Sequence, residues 1–202
     1  MEVLHYWLGP VDAAKPNSFP AHKVKLWFKA GEDVDKDMKA RFGHLLQHAA
    51  KTGLPEWQRH HNGLAAVLLM DQFSRNVYRG AAQVYDLDAK AMMRAQQLLD
   101  SGDAAQFVMI ERLWLVLPFM HSEKLHDQQA AVRMVKDMLH EVKSIQDSAE
   151  LQNYLQLQLG AADAHVKVIQ QWGRFPHRNA LLGRTNTPEE EQAFAEGSIP
   201  SF

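Results

Sequence analysis

Acid–base chemistry and anion binding need carboxylates, imidazoles and guanidiniums gathered away from bulk water. This sequence places such groups where apolar residues belong. In IERLWLVLPFMHSE (110–123), Glu111 and Arg112 interrupt a run that is otherwise apolar on every side, and His121 and Glu123 close it. In LLMDQFSRN (68–76), Asp71 continues an apolar stretch, with Arg75 and Asn76 after it. A buried charge must be paired or neutralised. Glu111 and Arg112 are therefore expected to be buried and ion-paired, and losing Arg112 alone to cost about 3–5 kcal/mol. Arg75 can pair with Asp71 if the helix persists. A structural ion pair or cap is the plain alternative at both places.

At about 100° per residue, Asp127, Ala131, Val135 and Met138 fall on one line, so Asp127 points inward at the first turn of its helix. A purely structural first-turn acid competes with a functional one there. His165 lies on an inward stripe with Ala162, Ile169 and Trp172; a lone histidine on an apolar face is usually a core residue with one satisfied hydrogen bond. Then comes WGRFPHRN (172–179). Gly173 loosens the helix and Pro176 ends it by pushing Phe175 out of the helical region. Arg174, His177, Arg178 and Asn179 emerge together, and the two arginines offer planar forks suited to carboxylate or phosphate.

These groups need elements to position them, and the chain reads as helix after helix. Helical periodicity marks 34–52, 60–73, 86–101, 104–117, 124–143 and 149–173, and a short helix opens after Thr187 with Pro188 and three acids. The segments 60–73 and 104–117 are apolar all round, which makes them central. The second is expected to end at Pro118. The segment 86–101 carries Ala89, Met92, Met93, Gln96 and Leu99 and is expected to end near Gly102. Only 9–22 is long and irregular, too near the N-terminus to divide domains. The expectation is one all-α domain, 1–202, of antiparallel helix pairs.

Composition narrows the function. With no cysteine, thiol catalysis, disulfides and thiolate metal sites are excluded. A formal net charge of −2 without a basic run argues against nucleic acid. No apolar run is long enough to span a bilayer, and MEVLHYWLGP lacks the features of a secretory signal, so a cytoplasmic location is expected. H-E-x-x-H, phosphate-loop and G-x-S-x-G patterns are missing. His44 and His48 fall on a solvent face, and His60 and His61 carry no assigned role.

Taken together, LLMDQFSRNVYRG, ERLWLVLPFMHSE with DQ following, HVKVIQQWGRFPHRNALLGR and TPEE resemble, in order, the motifs of the DUF924 family, bacterial and eukaryotic proteins of uncharacterised function. The resemblance runs from LHYWLG to AEG. It implies an all-helical fold similar to tetratricopeptide-repeat superhelices, and it implies no activity. Ser74 stands where the family usually has proline, which lets the helix before Arg75 run on. Lys167 stands where an acid is common.

Two functions fit these residues. One is a polar pocket between helices for a small polar or anionic ligand. Its candidate catalytic groups are His121, Glu123, Asp127, His165 and His177. Its candidate binding groups are Asp71, Arg75, Asn76, Glu111, Arg112, Arg174, Arg178 and Asn179. No cofactor is specified. A metal on His121, Glu123, Asp127 and His165 or His177 is conceivable, but no spacing demands one. The other is a groove for a peptide partner, with the charged cluster serving as a structural network. In the pocket reading, WGRFPHRN is both helix stop and pocket wall, facing Asp71, Glu111, Glu123 and Asp127.

Overall fold

The computed structural model describes residues 2–10, 17–200 and 202. Much of the irregular stretch 9–22 thus lies outside the described residues. Among them there is no strand. The helices are α1 (Glu2–Leu8), α2 (Val24–Phe28), α3 (Glu32–Thr52), α4 (His60–Leu68), α5 (Ser74–Val77), α6 (Asp88–Asp100), α7 (Met109–His121), α8 (Leu125–Val142), α9 (Ala149–Trp172) and α10 (Pro188–Ala195).

The boundaries have local causes. α3 opens on Glu32, Asp33 and Asp35, which suit the positive end of the helix dipole. It stops at Gly53, whose φ of 70° is the left-handed cap conformation. α10 opens with a reciprocal cap: Thr187 Oγ1 accepts from Glu190 N–H, and the Glu190 carboxylate accepts from Thr187 N–H.

α7 is buried nearly all round and packs against α4, α6, α8 and α9. It does not stop at Pro118. The helix runs on to His121. Gln128, fully buried on α8, donates to the Met120 and Ser122 carbonyls at 2.6 Å each and so satisfies that end. α8 buries Asp127, Ala131, Val135 and Met138, the line that its periodicity specifies.

On α6 the apolar spacing marks the buried face only in part, with Met92 and Leu99 packed at its edge. The helix buries Ala91, Arg94, Ala95 and Leu98, while Met93 is 58% exposed. Small residues let α6 approach α4 closely. Buried Arg94 turns its guanidinium onto the Gly53, Leu54 and Trp57 carbonyls that follow α3. A charge in the core stripe, satisfied by loop carbonyls, is what the apolar pattern does not reveal.

The helix through Asp71 is the main irregularity. α4 continues without a break through a π-turn at Leu69–Phe73 into α5. The Ser74 N–H reaches back to the Leu69 carbonyl, and Ser74 Oγ donates to the Met70 and Asp71 carbonyls. The extra residue in that turn re-aims the following face; such wide turns recur at functional sites. The helix therefore extends past residue 73 to Val77, as Ser74 allows, and the chain turns over residues 78–80.

Candidate functional site

Asp71 sits inside the wide turn and is almost fully buried. Its Oδ1 lies 2.7 Å from His121 Nδ1, at the end of α7. Its Oδ2 accepts from Gln72 Nε2 at 2.5 Å. Arg75 Nη1 lies 3.3 Å from Oδ1 and donates to the Asp71 carbonyl at 2.6 Å. Arg75 also grips Asp88, at the start of α6, through two hydrogen bonds of 2.9 and 3.1 Å. Burial alone would raise the Asp71 carboxyl, but Arg75 and then His121 outweigh it and hold the group well below the usual carboxylate range. Burial and then Arg75 push the His121 imidazole down, against the pull of Asp71. His121 is thus neutral at pH 7. Its Nδ1–H donates to Asp71, which leaves Nε2 as the basic nitrogen.

Arg178 follows in the same chain of charges, and its situation is different. It is 7% exposed. Its nearest acid, Asp88, is 3.7 Å from Nη1 and already engaged by Arg75. Among the described residues its guanidinium makes no hydrogen bond, and Nε is a buried donor without a partner. The fork stacks instead over Phe175 and Tyr85, with Cζ 4.3 and 4.7 Å from their ring centroids. Burial pushes the Arg178 pKa below its ordinary value, against the pull of Asp88.

Tyr85, His121 and Arg178 line two cavities. One, of about 420 Å³, is also bounded by Gln72, Arg75, Asn76, His165, His177 and Phe202. The other, of about 610 Å³, runs along Met92 and Met93 of α6 to Glu123 and Asp127. His165 Nδ1 bonds the Ala161 carbonyl at 2.8 Å, and burial pushes this histidine down to about 4. His177 is lowered as well, by burial and then by Arg178.

The other candidates sort by place. Arg75, Asn76, His121, His165, His177 and Arg178 line the smaller cavity, and Asp71 stands behind His121. Glu123 and Asp127 border the larger one. Glu123 is clamped by two Arg184 hydrogen bonds of 2.7 and 3.0 Å and accepts from Phe175 N–H. Asp127 accepts from Ser122 Oγ and contacts His126. Arg174 and Asn179 turn away to the buried Glu190, which Arg174 holds at about 2. Glu111 and Arg112 lie at the opposite end of α7. Glu111 is buried, caps Val108 N–H and faces His61 at 3.4 Å. Arg112 is half-buried rather than fully buried: its Nε is out of solvent, and it is ion-paired as expected, with the half-exposed Glu141 at 2.6 Å on the rim of α8. WGRFPHRN is thus split: Arg174 and Asn179 fasten the turn, while His177 and Arg178 face the cavity. Among the described residues, no three His, Asp or Glu side chains form a group that could hold a metal ion. No described helix is long and apolar enough to cross a membrane.

Sequence reasoning missed Asp88, Tyr85, Arg184, Glu190 and Phe202. Glu190 could have been found, since an acid three residues after Thr187 signals a reciprocal cap. The others carry no local signal.

A family model described as a bacterial protein of unknown function (DUF924) matches residues 3–198. No curated protein matches the chain. The solved structure of a protein of unknown function from Agrobacterium tumefaciens is 30% identical. It covers 92% of this chain and 100% of its own, with a TM-score of 0.74. Matched along nearly its whole length, the chain belongs to the DUF924 family.

Proposed function

We propose that this protein binds a small anionic molecule in the cavity of about 420 Å³, where His121, oriented by Asp71, exchanges a proton with it or with water. The observation that carries this reading is Arg178, a buried guanidinium without a hydrogen bond among the described residues. Asp88 stands only at ion-pair distance and is already held by Arg75, so a carboxylate or phosphate in the cavity would give the fork hydrogen-bond acceptors that no described side chain supplies. The volume falls in the usual range for small-molecule sites. The Asp71–His121 pair has the form of a base held by its orienting acid, on a ring that lines the cavity.

Thermal-shift titration with inorganic phosphate, sulfate and succinate tests the reading. An anion at a hundredfold its Kd should stabilise the protein by about 2.7 kcal/mol. The Arg178→Gln variant should lose that shift. If none of the three anions stabilises the wild type, or if the variant responds equally, the reading fails.

A further inference from the structure

The ring of Phe202 occupies an unusual position. It stacks on the His165 imidazole with centroids 3.7 Å apart and planes 26° from parallel. It meets Phe175 and His177 edge-on at 6.0 Å each. Yet Phe202 is 52% exposed, whereas His165 beneath it is 6% exposed and Phe175 beside it is fully buried. The slot is built from core side chains; its occupant is a surface residue. His165 is fixed from below by the Ala161 carbonyl, so the platform does not depend on Phe202 for its position. Phe175 joins the slot to the charge: its other neighbour is the Arg178 guanidinium, 4.3 Å from the ring centroid. His165 and Arg178 both line the one cavity, and both pack against the buried Phe175 ring behind it.

We propose that the ligand is an aromatic anion, an aryl carboxylate or aryl phosphate, whose ring takes the place on His165 that Phe202 fills in this structure while its anionic group meets Arg178. The inference rests on the reading of Arg178 as an anion anchor. Offset stacking favours any planar ring on an imidazole. The charge beside it selects rings that carry an acid. Phe202 acts as an internal competitor. Removing it frees the platform without touching the groups that would bind the ligand.

Titration calorimetry on wild type and Phe202→Ala, with phenyl phosphate and inorganic phosphate as probes, tests this. Phe202→Ala is expected to bind phenyl phosphate at least about tenfold tighter than wild type, a gain of about 1.4 kcal/mol, while inorganic phosphate binds both equally. Arg178→Gln should bind neither probe. Phe202 is half exposed, so the variant is expected to keep its fold, checked by an unchanged melting temperature. If inorganic phosphate binds through Arg178 but Phe202→Ala leaves the preference for phenyl phosphate unchanged or reduces it, the aromatic class is wrong and the anion anchor stands. If neither probe binds any form, the anion reading itself falls.

Discussion

Asp71 and Arg178 sit at the two ends of one line of charges, and among the described residues only Asp71 has hydrogen-bond partners for its charged atoms. Asp71 has His121, Gln72 and Arg75 around its carboxylate. Arg178 has Asp88 at 3.7 Å and aromatic faces. A network built only for stability would close its last guanidinium as it closes Arg174 on Glu190, with hydrogen bonds of 2.6 and 2.8 Å.

The Asp71–His121 contact has a spectroscopic consequence. Asp71 pulls the His121 constant up against burial and Arg75. Asp71→Asn removes that pull, so the His121 constant should fall further below its ordinary value. Imidazole NMR titration reads this directly. A rise in the variant would mean that the ring is not held by the carboxylate. The substitution should also cost about 1.5–3 kcal/mol, the range for a hydrogen bond to a charged group.

Glu190 governs the acid limb of stability at the C-terminal turn. Its folded constant, held at about 2 by Arg174, lies below the unfolded value of about 4.3. The contribution is therefore fully present above about pH 4.3 and is lost as pH falls toward 2. Glu190→Gln should be less stable at neutral pH and show a flatter stability profile between these values. An unchanged slope in urea melts across that window would contradict the buried Arg174–Glu190 pair.

His165 acts in the opposite sense. Its folded constant of about 4 lies below the unfolded value of about 6.5. The unfolded chain takes the proton first, so folding weakens as pH falls from 6.5 to 4. His165→Asn keeps a donor for the Ala161 carbonyl and should remove part of that slope, the remainder belonging to His121 and His177. Equal slopes in both proteins would show that His165 is solvated.

Arg112→Ala should cost about 1 kcal/mol or less, because its partner Glu141 is at the surface. This replaces the larger loss implied by the sequence. A loss of 3–5 kcal/mol in denaturant melts would return Arg112 to the core.

Helices and their inward faces were legible wherever apolar residues set the period, as in α8, where Asp127 follows Ala131, Val135 and Met138 inward. The buried face of α6 was legible only in part, because Ala91 and Ala95 fill it while Met93 of the apolar spacing is exposed. The ion pairing of Arg112 was legible, but not its partial exposure, because position 112 of a central helix lies at the rim facing α8. The polar residues that meet at the cavity were legible as charges on apolar faces. Their pairing was not, because Asp88, Arg184 and Glu190 are unremarkable in sequence and become partners only when distant segments pack together. The wide turn at Asp71 also leaves no mark on the period that a fixed spacing can detect.

The central claim is that Arg178 is held ready for an anion and is not there to hold the fold. Calorimetric titration of inorganic phosphate into wild type and Arg178→Gln, with urea melts of both, tests it most directly. The expected result is a saturable exothermic isotherm in wild type, none in the variant, and stabilities within about 2 kcal/mol. The margin is small because the lost stacking on Tyr85 and Phe175 is offset by removal of an unsatisfied buried charge. A variant that loses 3–5 kcal/mol, with no phosphate binding to the wild type, would make Arg178 a structural residue and contradict the claim.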